Sequence, residues 1–333
     1  MRAAVIDRYG GPDVLQIRDV PPPELGPDDL LVDVHAASVN PVDFKIREGK
    51  LKPVLKLQLP QILGSDLSGV VRAVGTRVSR FRVGDEIYAR LEKNRMGGLA
   101  EQVALAEFTA ALKPRNATHV EAASLPLVAL TASQALLQIG RLQKGQRALI
   151  HAGAGGVGSF AIQLAKNVGA EVFTTASAKN HALLCSLGAD VPIDYASQKF
   201  EEVARDCDVV LDTQGGDTLI RSFACVKPGG VLVSIGSIPD AITAEEMELG
   251  PMIKAGLWFM NRKFRALAKA RGITYRYLFM KPDGVELARI AGLVEQGAIK
   301  PQVERTFPLD QVRDAFAAVE SGRTRGKIVV QVR

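Results

Sequence analysis

The sequence predicts an α/β protein in two parts: a compact β barrel and a doubly wound parallel sheet. Three observations carry this. Short alternating runs broken by Gly and Pro fill the chain from Met1 to about Leu112. From about Ser124, apolar strand signals alternate with helix-length segments, the pattern of a parallel sheet covered on both faces. The last stretch returns to short strands around one helix, and a terminal strand such as GKIVVQV needs a sheet to pair with, so it completes the barrel.

In the barrel, LQIRDV, LLVDVHAASV, GVVRAV, GDEIYA and AEQVAL read as strands. Turns fall at Gly10-Gly11-Pro12, Gly26-Pro27, Gly75 and Val83-Gly84-Asp85. PVDFKIREG reads as a helix opening at Pro41, where a missing N–H costs nothing. TASQALLQIGRL looks helical. After it come RALIHA, GVGSFAIQLAKNVG, EVFTTA, KNHALLCSLG, DVPID, KFEEVARD, DVVLDT, DTLIRSFACV and GVLVSIG, strand and helix by turns, and right-handed crossovers make them doubly wound. Ile253, Leu257, Met260, Phe264 and Leu267 then fall at helical steps and predict one apolar stripe, with Arg262, Lys263, Arg265 and Lys269 turned away from it. The strand YRYLFM and the helix DGVELARIAGLVEQG follow.

The chain has 333 residues, 47% of them apolar and 23% charged, which suits two soluble globular domains. No apolar run approaches the ~20 residues of a membrane span, so no membrane partner is expected. The N-terminal segment has no secretory pattern, and the expected location is the cytoplasm. Three scattered cysteines exclude a Cys-rich zinc lobe. A net charge of +6 fits either a solvated surface or an affinity for anionic ligands.

Gly153, Gly155 and Gly158 form Gly-x-Gly-x-x-Gly, with Gly156 as a fourth glycine, between a strand at Arg147 to His151 and a helix starting near Gly156. A turn without side chains lets a pyrophosphate approach the helix N-terminus, whose free N–H groups favour negative charge. In VFTTASAK, the second strand runs out with no carboxylate to hold a ribose 2′-hydroxyl. Ser177 can donate to a 2′-phosphate, Lys179 brings a charge of the right sign, and Tyr195 after the third strand can add a phenolic donor or pack on the adenine. The expected cofactor is NADPH.

Taken together, AASVNPVDFKIREG, LPQILGSDLSGVVRAVG, GGLAEQVAL, LPLVALTASQALLQ, HAGAGGVGSFAIQLAK, LGADVPIDY, DVVLDTQGG and RGKIVVQV resemble, in order, the medium-chain dehydrogenase/reductase superfamily. More narrowly they resemble its zinc-free branch of quinone oxidoreductases and enone reductases. The resemblance implies a GroES-like β-barrel catalytic domain over 1–123, completed by 281–333, and a Rossmann cofactor domain over 124–280. It also implies cofactor contacts from Thr131, Val157, Gly236, Ser237 and Lys327, the last closing over the cofactor. Zinc-containing members carry Cys where this chain has Asn40, and His-Glu where it has Ser65-Asp66, so no tetrahedral zinc site can be assembled. Without that Lewis acid, alcohol oxidation is disfavoured. Hydride delivery to a quinone or an α,β-unsaturated ketone or aldehyde remains, and the developing oxyanion needs donors. Asn40 and Lys45 in NPVDFK are the candidates, while Asp43 and Asp66 look structural. The family also implies a homodimer through an edge strand such as YRYLFM.

Two alternatives stay open: an enoyl-thioester reductase, and a crystallin-like or RNA-binding relative using Trp258, Phe259 and Tyr275. No RNA motif supports the latter, and nucleic acid is disfavoured as a partner.

Overall fold

The computed structural model describes residues 1–52, 55 and 57–333. It divides into two compact units, Met1–Leu130 with Lys281–Arg333, and Thr131–Met280.

In chain order the first unit contains β1 (Arg2–Ile6), β2 (Leu15–Asp19), β3 (Asp29–Val39), α1 (Pro41–Arg47), β4 (Gln61–Ile62), β5 (Asp66–Val74), β6 (Glu86–Arg90), β7 (Gln102–Ala106), β8 (Ala110–Leu112) and α2 (His119–Ala123). α3 (Pro126–Ser133) runs across the boundary and continues as a π-helical turn over Gln134–Ile139. The second unit contains β9 (Arg147–Ile150), α4 (Gly156–Val168), β10 (Glu171–Ala176), α5 (His181–Ser186), β11 (Val191–Asp194), α6 (Phe200–Val203), β12 (Cys207–Asp212), α7 (Gly216–Ser222), β13 (Val226–Ser234), α8 (Ala241–Glu246), α9 (Pro251–Met260), α10 (Arg262–Arg271) and β14 (Thr274–Tyr277). The chain then returns to the first unit with α11 (Gly284–Glu295), β15 (Val303–Pro308), α12 (Val312–Glu320) and β16 (Lys327–Gln331).

The first unit is built on a seven-stranded sheet in the order β15-β16-β3-β5-β6-β8, with β7 also on β3, and a smaller sheet β2-β1-β4. β3 is its spine. Leu30, Val32 and Val34 alternate inward, and from Ala36 to Val39 every residue is buried, so the strand delivers Asn40 into the interior. The C-terminal strand β16 pairs antiparallel with β3, as a strand in need of a sheet must.

In the second unit the order is β11-β10-β9-β12-β13-β14, and every pairing is parallel. Counted from β9, this is 3-2-1-4-5-6, the dinucleotide-binding arrangement, and the order reverses between β9 and β12. All six residues of β12 are buried, as a strand covered on both faces requires. Leu149, Phe173, Val210 and Leu232 form one of these faces with Phe200, Leu219 and Ala268 from α6, α7 and α10 and with Phe223 just after α7.

The single stripe expected over Ile253–Leu267 is corrected. The helix breaks at Asn261, whose Nδ2 donates to Pro239 O at 2.8 Å and to Leu257 O at 2.9 Å. Phe264 and Leu267 pack on the core, whereas Met260 is 57% exposed.

Candidate active site

In the first unit, strand register gathers a buried polar cluster. Ser38 lies opposite Asp66, Asp66 opposite Arg90, and Ile328 opposite Val39, which brings Lys327 beside Asn40. Asn40 caps α1 with Pro41 behind it, and its backbone N–H donates to Asp43 Oδ2 at 2.8 Å. Its Nδ2 donates to Asp66 Oδ2 at 3.0 Å, while Lys327 Nζ donates to Asn40 Oδ1 and, at 3.2 Å, to Val39 O. An ammonium can only donate and a carboxylate can accept, so the amide has one orientation and keeps one uncommitted N–H. Asp66 Oδ2 also accepts from Ser38 Oγ at 2.9 Å. Asp43 Oδ1 accepts from Ser65 Oγ at 2.7 Å.

Burial pushes the Asp43 carboxyl up, against the Ser65 and Asn40 bonds that favour its ionised form. Burial pushes Lys327 and Arg90 down, against the attraction of Asp66 and Asp43. Asp66 Oδ1 and Arg90 Nε are buried without a hydrogen-bond partner and lie 3.9 Å apart.

Three residues singled out in the sequence meet in this cluster. Lys327, expected over the cofactor, is 5% exposed with its ammonium on Asn40. Asn40 is a donor already half used. Asp66, expected to be structural, anchors that amide. Lys45 stands exposed on α1. In the segment EGKLKPVLKLQLPQ, which follows α1, the residues Pro53, Val54 and Lys56 lie outside the described residues.

In the second unit, every remaining predicted residue except Thr131 sits in the glycine turn or at a carboxyl end of the parallel strands. Thr131 is buried in α3. The turn after β9 closes on Gly155, and α4 begins at Gly156 and carries Val157 and Gly158 in its first turn. Gly153 and Gly158 are set by packing: a Cβ on Gly153 would meet Thr174 Oγ1 at 2.1 Å, and one on Gly158 would meet Ala152 O at 2.3 Å. Gly236 is pressed against Gly215, leaving no room for a side chain on either. Asp212 builds this corner, accepting from Gly215 N at 3.0 Å and from Ser234 Oγ at 2.7 Å. Ser237 follows it, half-buried. Sequence inspection misses Asp212 as the anchor of this corner: Gly215 is local to it, but Ser234, the partner that ties it to the next strand, lies on β13.

At the end of β10, Ser177 Oγ accepts from Asn180 Nδ2 at 3.2 Å, and Lys179 is exposed. Tyr195 is tied to the same edge, its N–H donating to Ala176 O at 3.3 Å while its side chain is 65% exposed. Asn180 Oδ1 and His181 Nε2 are buried there without hydrogen-bond partners. Asp194 on β11, opposite Ala176, accepts from Ser197 Oγ at 2.8 Å and Ala196 N at 3.2 Å, and these bonds, with the nearby His181 and the Ala178 N–H, hold it below the usual carboxylate range. His151 is not part of this set. It is fully buried between Thr175 Oγ1 (3.0 Å) and Ser222 Oγ (2.9 Å), and burial pushes its imidazole down to about 3.

Residues 26–114 match the family described as the alcohol dehydrogenase GroES-like domain, and residues 187–330 match the family of zinc-binding dehydrogenases. The mouse protein named NAD(P)H oxidoreductase RTN4IP1, mitochondrial, is 37% identical over all of this chain and 89% of its own length. The chain belongs to the medium-chain dehydrogenase/reductase superfamily, in its zinc-free branch. Another member of this superfamily, the Arabidopsis thaliana NADPH-dependent alkenal/one oxidoreductase, chloroplastic, is 35% identical over 99% of the chain and 79% of its own length. The quinone oxidoreductase of Coxiella burnetii superposes with a TM-score of 0.85 at 36% identity, covering 100% of this chain and 99% of that one. Among the described residues no group of three or more His, Cys, Asp or Glu is placed to hold a metal ion. No helix of the described residues is long and apolar enough to cross a membrane. The mitochondrial and chloroplastic names of these relatives lend no support to a cytoplasmic location.

Proposed function

We propose that the protein is a zinc-independent, NADPH-dependent reductase of quinones or α,β-unsaturated ketones and aldehydes. The observation that carries this is the end of β10, where a hydroxyl, a lysine, an exposed phenol and a buried imidazole nitrogen without a hydrogen bond come together and the strand itself ends without a carboxylate. Such a set suits a 2′-phosphate: Ser177 donates, Lys179 neutralises, and His181 Nε2 gains the partner it lacks. Gly155 and Gly156 at the start of α4 suit the pyrophosphate. When bound, a reduced nicotinamide supplies the hydride.

The barrel residues then act on the substrate oxygen. The uncommitted Asn40 N–H donates to the carbonyl oxygen as negative charge develops on it, and Asp66 and Lys327 keep the amide from turning its own oxygen that way. Lys45, exposed on the adjoining helix, adds positive charge. The names of the relatives support this substrate class, one being an alkenal/one oxidoreductase and another a quinone oxidoreductase. Homodimerisation belongs to the same proposal: β14 ends its sheet with an outer edge that pairs with no strand among the described residues.

A panel of enones, quinones, alkenals and enoyl thioesters, followed by loss of NADPH absorbance, tests the proposal. Turnover of enones or quinones is expected. Exclusive turnover of enoyl thioesters, or of none, overturns it.

A further inference from the structure

None of the ten residues of α9 is buried, although its sequence, PMIKAGLWFM, is almost entirely apolar. Met252 is 88% exposed, and Trp258, Phe259 and Met260 are each more than half exposed. Its one charged residue, Lys254, is paired with Glu245 at 2.5 Å. An apolar helix normally finds a core, and a patch of this kind marks an interaction surface.

The charge along the segment itself is one-sided, while the exposed carboxylates Glu245, Glu246 and Glu248 stand on and just after the preceding helix α8. Leu249 to Pro282 contains no Asp or Glu and eight Lys or Arg. Two of these cations lie on the exposed rings themselves: the Arg262 guanidinium is 4.1 Å from the Phe259 ring centre, and that of Arg265 is 4.2 Å from Trp258. Lys263 is exposed beside them. Apolar side chains and cations therefore share one surface.

We propose that α9 and the first turn of α10 dock on the surface of an anionic lipid bilayer. Met252, Trp258, Phe259 and Met260 enter the acyl boundary, and Arg262, Lys263 and Arg265 hold lipid phosphates. Charge selects this occupant. In a two-fold contact between copies the patch would face itself, setting cations against cations with no carboxylate in the segment to pair them. A nucleic acid would satisfy the cations and leave the four apolar side chains in water. A lipid surface takes both. A ten-residue helix lies on such a surface and does not cross it, so this differs from the absence of a membrane partner expected from sequence.

Trp258 is the only tryptophan in the chain, so its emission reports on the patch alone. The full-length protein is titrated with pure phosphatidylcholine vesicles and with vesicles that also contain phosphatidylserine, using brominated acyl chains as quenchers. A blue shift and quenching are expected with the anionic vesicles only, both reversed by salt. Replacing Arg262 and Lys263 together by Glu should weaken partitioning by at least about fivefold for each cation lost. No shift with anionic vesicles overturns the proposal. A shift that grows with protein concentration without lipid overturns it in favour of a second copy, and a shift produced by single-stranded RNA alone overturns it in favour of nucleic acid.

Discussion

Asn40 is held at all three of its committed groups: the backbone N–H by Asp43, Nδ2 by Asp66 and Oδ1 by Lys327. Replacing Asn40 by Ala should lower kcat by about 100-fold, the scale of one lost oxyanion donor, while NADPH still binds. Stopped-flow turnover beside a cofactor titration checks this. His151 is a second residue with a measurable signature. Its imidazole is neutral in the fold, pushed down to about 3 by burial, and protonates near pH 6.5 once unfolded. A lowered folded value means that its contribution is present above about pH 6.5 and is lost as pH falls below it, by up to about 1.4 kcal/mol per pH unit. Thermal melts from pH 7 to pH 4.5 should show that acid slope, and His151→Gln should flatten it.

The candidate status of Asn40 is legible in the sequence because its position and neighbours are local. Its partners are not, because Asp66 lies 26 residues away and Lys327 lies 287 away, and only strand register brings them together.

Among elements, the glycine turn is legible because strand, turn and helix follow one another directly. The structure separates its glycines by task. Gly158→Ala places a methyl against backbone at Ala152 O and should cost about 1–3 kcal/mol of stability. At Gly155 a Cβ would meet Ala152 O at 3.3 Å and φ is −77°, so Gly155→Ala should keep the fold and weaken the cofactor instead. Melting curves and cofactor titrations of the two variants separate these outcomes. The break between α9 and α10 is not legible, because the carbonyl that Asn261 reaches at Pro239 lies outside the helical segment. Periodicity counts apolar steps and carries no information on such a bond.

For the molecule as a whole, alternating strands and helices foretell the parallel sheet, and a strand left without a partner at the C-terminus foretells its return to the barrel. Cysteine chemistry follows from the same burial. Cys207 and Cys225 are buried and pushed up to about 12, whereas Cys185 is exposed. A thiol reagent at pH 8 should label one group rapidly in the native protein and all three only after unfolding.

The most direct test of the central claim is the affinity of the intact protein for NADPH against NADH, measured for the wild type and for Lys179→Glu. NADPH should bind at least about tenfold more tightly to the wild type, and the substitution should abolish that preference. Equal affinities in the wild type, or a preference that survives Lys179→Glu unchanged, would contradict it.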